Sequence, residues 1–260
     1  MNPLIHPNLQ IQKLLETVAK NKKYKAVIFD LHHTLIRLYP SRGVIYQNVL
    51  KKYGLRCQPK KIKRAFNDVW REYGNKRISN EHAKHHNEKK IEKWWLDFHH
   101  RMLVKLGYND KSKSTLINTA ISNKFYTNPK THRMYADAKK ILKMLKIKET
   151  KLALVTNGYK STRKIIDGLG MKKYFDCIII SSEVSISKPN PKIFQLVAKT
   201  FNLKPEEILC VGDSYPTDIV GAKLASCGAA IIDRRGMDYK KRYDCIYLNN
   251  LLQIKSFVKE

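Results

Sequence analysis

Five short apolar runs, separated by segments with helical periodicity, are the feature that most limits how this chain can fold. The runs occupy residues 25–30, 151–156, 177–181, 208–211 and 229–233. Continuous apolar runs of this length are typical of strands that are buried on both faces. Helices are predicted between them, at 137–146, 161–168, 191–200 and 217–225. Strands that alternate with helices favour an α/β fold with a doubly wound, mostly parallel sheet.

The middle of the chain has a different pattern. Between residues 40 and 130 the strand-like runs stop, and helical periodicity continues with glycines at its breaks. We interpret 40–130 as a helical domain inserted into an α/β core that comprises 24–39 and 131–260. An apolar stripe at spacings of three and four predicts that 1–23 is an N-terminal helical extension.

No apolar run in the sequence approaches the ~20 residues that a membrane-spanning helix needs. The N-terminus also lacks the apolar core and small-residue cleavage site of a signal peptide. These features predict a cytoplasmic protein with no membrane partner. The five cysteines are scattered without a CxxC pair, which favours free thiols in a reducing compartment.

The formal net charge of +29 would attract anionic partners of any size. Residues 51–64 contain seven lysines and arginines and no acid, a density that suits a nucleic-acid or other polyanion site. Lysines also continue along the whole chain, and no aromatic recognition motif accompanies the basic segment. Polyanion binding and a solvated basic surface therefore both remain open.

Polar signatures stand at the ends of three predicted strands. They are Asp30-Leu31-His32-His33-Thr34, Thr156-Asn157-Gly158, and Gly212-Asp213-Ser214 with Asp218 four residues after Ser214; Lys188-Pro189 precedes a predicted helix. Parallel strands present their carboxyl ends at one edge of the sheet, so these side chains are expected to meet there. Two carboxylates at that range repel unless a hard divalent cation such as Mg²⁺ lies between them.

Together, in this order and each on the expected element, these signatures resemble the four motifs of the haloacid dehalogenase (HAD) superfamily. The resemblance covers residues 25–233, and the helical insert stands where that family places its cap. The Trp94–Phe98 stretch, WWLDF, also looks like the cap of that family's hydrolases. The resemblance implies a HAD-like Rossmannoid α/β core with an inserted α-helical cap, and a Mg²⁺-dependent phosphohydrolase acting on a phosphorylated small molecule.

The resemblance also implies a role for each signature residue. Asp30 would be the nucleophile that forms an aspartyl-phosphate, and Mg²⁺ would be held by Asp30, Asp213 and the main-chain carbonyl of His32. The substrate phosphate would be bound by the Thr156 hydroxyl, the Asn157 backbone N–H and the Lys188 ammonium group. Asp218 would hold Lys188 or a metal-bound water, or would cap a helix N-terminus.

Position 32 departs from the family pattern. Phosphatases of this family carry a second Asp two residues after the nucleophile, as general acid and base, and this chain has His32. General acid–base catalysis is worth ~10²–10⁴-fold, so the replacement leaves four interpretations. His32 takes over the acid–base role; the protein is a weakened or specialised hydrolase for good leaving groups; it is a catalytically inactive binding module for nucleic acid or another polyanion; or it is a dehalogenase.

Two groups of ring side chains in the insert carry weaker signals. Three histidines at helical spacing, with two more nearby, could chelate a transition metal or could form a solvated polar face: His82, His85, His86, His99 and His100. Three tryptophans are predicted to lie in the core of the insert: Trp70, Trp94 and Trp95.

Overall fold

A six-stranded, all-parallel sheet forms the centre of the computed structural model, which describes residues 23–74, 88–234, 236 and 244–259. Its strands, in the order β5-β4-β1-β6-β7-β8, are β1 (Ala26–Phe29), β4 (Lys151–Thr156), β5 (Cys177–Ile180), β6 (Ile208–Gly212), β7 (Gly228–Ile232) and β8 (Ile246–Leu248). Each neighbouring pair runs parallel. The α/β fold predicted from the apolar runs is confirmed.

Helices cover both faces of this sheet. They are α5 (Ala136–Ile147), α6 (Thr162–Gly168), α7 (Ser181–Val184), α8 (Pro191–Phe201) and α9 (Val220–Leu224). Along β1, Val27 and Phe29 enter one apolar cluster, and Ala26 and Ile28 enter the other. All four side chains are almost completely buried. Because both faces of the sheet are covered, the sequence of β1 is a continuous apolar run and does not alternate between apolar and polar residues.

Three short strands were not predicted from the sequence. β2 (Ile36–Leu38) and β3 (His132–Met134) form a separate antiparallel pair, and β8 lies at one edge of the main sheet. Each has three residues, too few for a periodic pattern, and tertiary pairing decides their conformation. The β2–β3 pair carries the chain out of the sheet region into the helical insert and back.

The described part of the insert, residues 40–74 and 88–130, contains four α-helices with their own apolar cluster. They are α1 (Arg42–Lys52), α2 (Pro59–Val69), α3 (Glu88–Lys105) and α4 (Lys111–Tyr126). Phe98 is fully buried in this cluster, and the rings of Trp70, Trp94 and Trp95 pack around it with centroids 5.2 to 6.0 Å away. The tryptophans therefore pack against the core of the insert, as the sequence indicated.

A buried polar network crosses the insert. His99 is 2% exposed, with Nε2 2.7 Å from the Tyr46 hydroxyl and Nδ1 2.7 Å from the Asn118 side-chain oxygen. The neutral tautomer with its proton on Nδ1 fits both contacts, since it donates to Asn118 and accepts from Tyr46. Burial lowers the pKa of His99 to about 4, and the nearby charge of Arg42 acts in the same direction.

The other residues singled out from the sequence are only partly described by the structure. His100 lies with Nδ1 3.0 Å from the Ser114 hydroxyl. His82, His85 and His86 lie outside the described residues, as do residues 1–22 of the predicted N-terminal extension. None of the five cysteines is part of a disulfide bond. Among the described residues, no helix combines the length and the apolar character that crossing a lipid bilayer requires.

The buried state of His99 predicts a pH-dependent stability. The folded protein keeps His99 neutral down to a pKa of about 4, whereas the unfolded chain protonates it near 6.5. Stability should therefore be lost as pH falls from 6.5 towards 4, and His99 should contribute about 1.4 kcal/mol per pH unit to that slope. In urea unfolding, His99→Gln should have a shallower slope by that amount. Parallel slopes for the two proteins would contradict the assignment.

Candidate active site

Three of the strand-end signatures meet at the carboxyl edge of the sheet. β1 lies between β4 and β6, so Asp30 after β1, Thr156 at the end of β4 and Asp213 after β6 are neighbours. The Asp30 backbone N–H donates to the Val211 carbonyl at 2.9 Å, which continues the β1–β6 ladder to the position of the acid. Thr156 is 1% exposed and Asp213 is 6% exposed, so the edge is largely shielded from solvent.

Lys188 is buried between two carboxylates. Its Nζ lies 2.7 Å from Asp30 Oδ1 and 2.6 Å from Asp218 Oδ1, and the residue is 3% exposed. Burial opposes the charge of the ammonium group, but the two carboxylates outweigh it and raise the pKa of Lys188. Lys188 therefore stays protonated at neutral pH and holds both acids in place.

Both oxygens of Asp218 are engaged. Oδ1 contacts Lys188, and Oδ2 accepts the Ser214 backbone N–H at 3.0 Å. Burial raises the pKa of Asp218, and the adjacent Lys188 charge works against that rise. Asp218 lies in the turn Tyr215–Ile219, so its bond to Ser214 ties the loop after β6 to the lysine.

The side chain of Asn157 has a structural role that the sequence did not indicate. Its side-chain NH₂ donates to the Lys188 carbonyl at 2.8 Å, and its side-chain oxygen accepts the Lys188 N–H at 2.8 Å. From the sequence, only the backbone N–H of Asn157 was expected to act, as a donor to the phosphate. The reciprocal bonds fix the main chain of Lys188, a contact that no local pattern signals because 31 residues separate the pair.

The loop after β1 is held from two sides. The Thr34 hydroxyl donates to Asp30 Oδ2 at 3.0 Å, and Arg234 Nε donates to the Thr34 carbonyl at 3.1 Å. Arg234 Nη2 also forms an ion pair with Asp137 and lies 2.9 Å from each of its two carboxylate oxygens. The Arg234–Asp137 pair was missed from the sequence, because neither residue lies in a recognisable motif and the two are 97 positions apart.

His32 lies in the same loop, beside a second histidine. Its ring centroid is 5.6 Å from that of His132, a buried residue that β3 brings to the site. Burial lowers the pKa of His32 to about 3, and the charges of Arg42 and Lys188 add to the effect. His132 was not singled out from the sequence; burial lowers its pKa as well.

The carboxylates at the sheet edge fit a divalent cation. One oxygen each of Asp30, Asp213 and Asp218 lies within 4.8 Å of the others. A cluster of buried carboxylate oxygens is the donor set that Mg²⁺ prefers. Asp30 and Asp213 directly follow the neighbouring strands β1 and β6, so they are the pair that we expect to hold the ion.

This arrangement predicts a measurable Mg²⁺ site. By calorimetry, Mg²⁺ binding in the presence of a phosphate analogue should weaken strongly in Asp213→Asn, because one of the two anionic ligands is lost. Asp110→Asn makes the same chemical change at the N-terminus of α4 and should leave binding unaltered. Absence of binding at millimolar Mg²⁺ in the unsubstituted protein would refute the site.

Comparison with known proteins relates this geometry to a family. The family model described as haloacid dehalogenase-like hydrolase matches residues 24–226. The chain is 31% identical to a glyceraldehyde 3-phosphate phosphatase of Methanopyrus kandleri, over 85% of this chain and 89% of that protein. It is 24% identical to bovine haloacid dehalogenase-like hydrolase domain-containing protein 3, over 83% of this chain and 84% of that protein.

A solved structure has the same fold. The putative HAD-hydrolase YfnB from Bacillus subtilis, crystallised with magnesium, superposes with a TM-score of 0.73 at 17% identity and covers 92% of this chain and 100% of its own. The family match spans most of the sequence and includes every residue of the carboxylate and lysine cluster. The chain belongs to the haloacid dehalogenase-like hydrolase family.

Proposed function

We propose that this protein is a Mg²⁺-dependent phosphohydrolase that cleaves a phosphate ester through an aspartyl-phosphate on Asp30. The observation that carries the proposal is the setting of Asp30, whose two oxygens are held by Lys188 and Thr34 beside Asp213. A fixed carboxylate next to a buried cation is what nucleophilic attack on phosphorus requires. The relative from Methanopyrus kandleri, named as a phosphatase, supports a phosphate ester as substrate.

The residues divide the reaction between them. An oxygen of Asp30 attacks phosphorus, the bond from phosphorus to the ester oxygen breaks, and water later hydrolyses the acyl phosphate. Lys188 neutralises the phosphoryl oxygens, and its bonds to Asp218 and Asn157 keep it in position. The Thr156 hydroxyl, at the end of the neighbouring strand, donates to the same oxygens. Asp30 and Asp213 would hold Mg²⁺, which would supply further neutralisation of the phosphate charge.

The chemical nature of the leaving group sets how fast this site can turn over a phosphate ester. An alkoxide needs a proton as it departs, and position 32 carries an imidazole where the family pattern that the sequence resembles has an Asp. His32 lies among positive charges and beside His132, surroundings that disfavour its protonated form. A phenolate departs with little help. The site therefore suits esters with good leaving groups better than simple alkyl phosphates.

The substitution His32→Asp tests this account. It should raise alkyl-phosphate turnover by ~10-fold or more, because a carboxylic acid can protonate the departing alkoxide, and should change aryl-phosphate turnover much less. His33→Asp is a matched control, since its φ of 61° is one that Asp tolerates, and it should leave the alkyl-to-aryl ratio unchanged.

Two other results would change the role given to His32 or contradict the proposed function. If His32→Asp has no effect and His32→Ala abolishes alkyl activity, His32 itself is the acid. If neither substrate class is turned over by the unsubstituted protein or by His32→Asp, both folded and Mg²⁺-loaded, the phosphohydrolase proposal is wrong.

Polyanion binding by the basic segment is a second candidate function. The apolar face of α2 is buried, and the seven cations of residues 51–64 are exposed: Lys51, Lys52, Arg56, Lys60, Lys61, Lys63 and Arg64. Their charges thus lie together on the outer surface of α2 and at the end of α1, where a nucleic-acid backbone could contact them.

Salt dependence of nucleic-acid binding tests this candidate. Replacing Lys60, Lys61, Lys63 and Arg64 by Ser should flatten the slope of log affinity against log salt by roughly 3 to 4, because each lost phosphate contact removes about 0.9. Four exposed lysines on and after α5 serve as the control: Lys139, Lys140, Lys143 and Lys148. An equal change in the control would mean that the segment is not a dedicated site.

A further inference from the structure

The outward face of the β2–β3 pair carries two arginines and one tyrosine. Ile36 and His132 are completely buried on its inner face. Arg37, Arg133 and Tyr39 are exposed and lie on the opposite face, because successive side chains of a strand point to alternate sides. The Tyr39 backbone N–H donates to the Thr131 carbonyl at 2.9 Å, so the ladder of β2 and β3 extends as far as the tyrosine.

The two arginines stand directly opposite each other in the antiparallel register. Like charges in that arrangement repel. The side-chain hydrogen bonds of Arg133 go to backbone carbonyls, from Nη1 to His132 at 2.8 Å and to Lys130 at 3.4 Å. Within the described ranges, neither guanidinium group forms an ion pair with an acid. An anion bound between the two groups would therefore relieve their repulsion.

Tyr39 lies beside both guanidinium groups. The central carbon of Arg133 is 4.9 Å from the ring centroid, and that of Arg37 is 5.6 Å away. Contact with a ring stabilises a cation without cancelling its charge. Tyr39 is also 47% exposed, which is unusual for so large a side chain with apolar surface. An open ring next to cations is the combination with which proteins stack a base and neutralise the phosphates beside it.

This combination distinguishes between anionic partners. An acidic peptide would satisfy the two cations but offers no flat group for the ring, whereas a nucleic acid offers both. A duplex keeps its bases stacked on one another inside the helix, so only a single strand can present a base to an exposed ring. The net charge of +29 would favour the approach of any such strand.

We infer that the outward face of β2–β3 is a binding site for single-stranded nucleic acid, in which phosphates contact Arg37 and Arg133 and a base stacks on Tyr39. The site uses none of residues 51–64. It does not depend on the proposed phosphohydrolase function either, because it involves no residue of the carboxylate and lysine cluster.

Fluorescence anisotropy of the full chain with labelled oligonucleotides tests the inference. The probes are a single-stranded RNA and a single-stranded DNA of the same sequence, about 15 nucleotides long. Both lack a terminal phosphate, so that they carry no phosphate monoester for the carboxylate site. The tighter of the two identifies the kind of strand that the site prefers.

Substitutions on the outward face should separate charge from stacking. Arg37→Ser together with Arg133→Ser should flatten the slope of log affinity against log salt by about 1.4, because each phosphate contact on a single strand contributes about 0.7. Tyr39→Leu should weaken binding about 5-fold or more and leave the slope unchanged, because the ring carries no charge.

A matched control exists at the tyrosine that follows two other exposed cations. Lys172→Ser together with Lys173→Ser removes the same number of charges beside Tyr174, whose ring is only 6% exposed. This variant should keep the salt slope and the affinity of the unsubstituted protein. The same measurements in the variant that lacks the cations at 60, 61, 63 and 64 should show the same effects of the outward-face substitutions, which keeps the two surfaces apart.

Four outcomes would overturn the inference. They are absence of binding to both strands, an equal change of slope in the Lys172 and Lys173 control, unaltered affinity in Tyr39→Leu, and equally tight binding of a duplex or of poly-glutamate. If the double arginine variant does not fold, Tyr39→Leu and the comparison of probes decide the matter. Failure of the proposed function would appear separately, as absence of aryl-phosphate turnover.

Discussion

The site depends on one buried contact, the Lys188 ammonium group between Asp30 and Asp218. A lysine that is 3% exposed could not stay charged without anionic partners at hydrogen-bond distance, and the two carboxylates could not be buried together without it. Each neighbouring feature supports this contact. Asn157 fixes the lysine backbone, and the bond from Ser214 to Asp218 anchors the loop that carries Asp213.

The cluster remains net negative after Lys188 is counted, since three carboxylates face one ammonium group. An excess of buried negative charge is costly unless a cation accompanies it. The proposed divalent ion would offset part of this negative charge and would so stabilise the fold as well as serve the chemistry. The same balance of charge explains why substitution of Lys188 would destabilise the protein more than substitution of a surface lysine. Without the ammonium group, two buried acids would repel each other.

Much of the fold follows from the sequence, and less of the site does. The five apolar runs predicted five of the six sheet strands because strands buried on both faces leave a continuous apolar trace. β8 left none, with only three residues. The carboxylates were found because each follows such a run. The sequence did not predict the side-chain bonds of Asn157 to Lys188 and of Arg234 to Asp137, because these distant segments meet only in the folded chain.

A single stretch, residues 30–42, joins the carboxylate site to the insert. It begins with Asp30, passes His32, runs through β2 and ends at Arg42 on the first helix of the insert. β2 pairs with β3, which brings His132 beside His32, so both ends of the insert converge on the loop after β1.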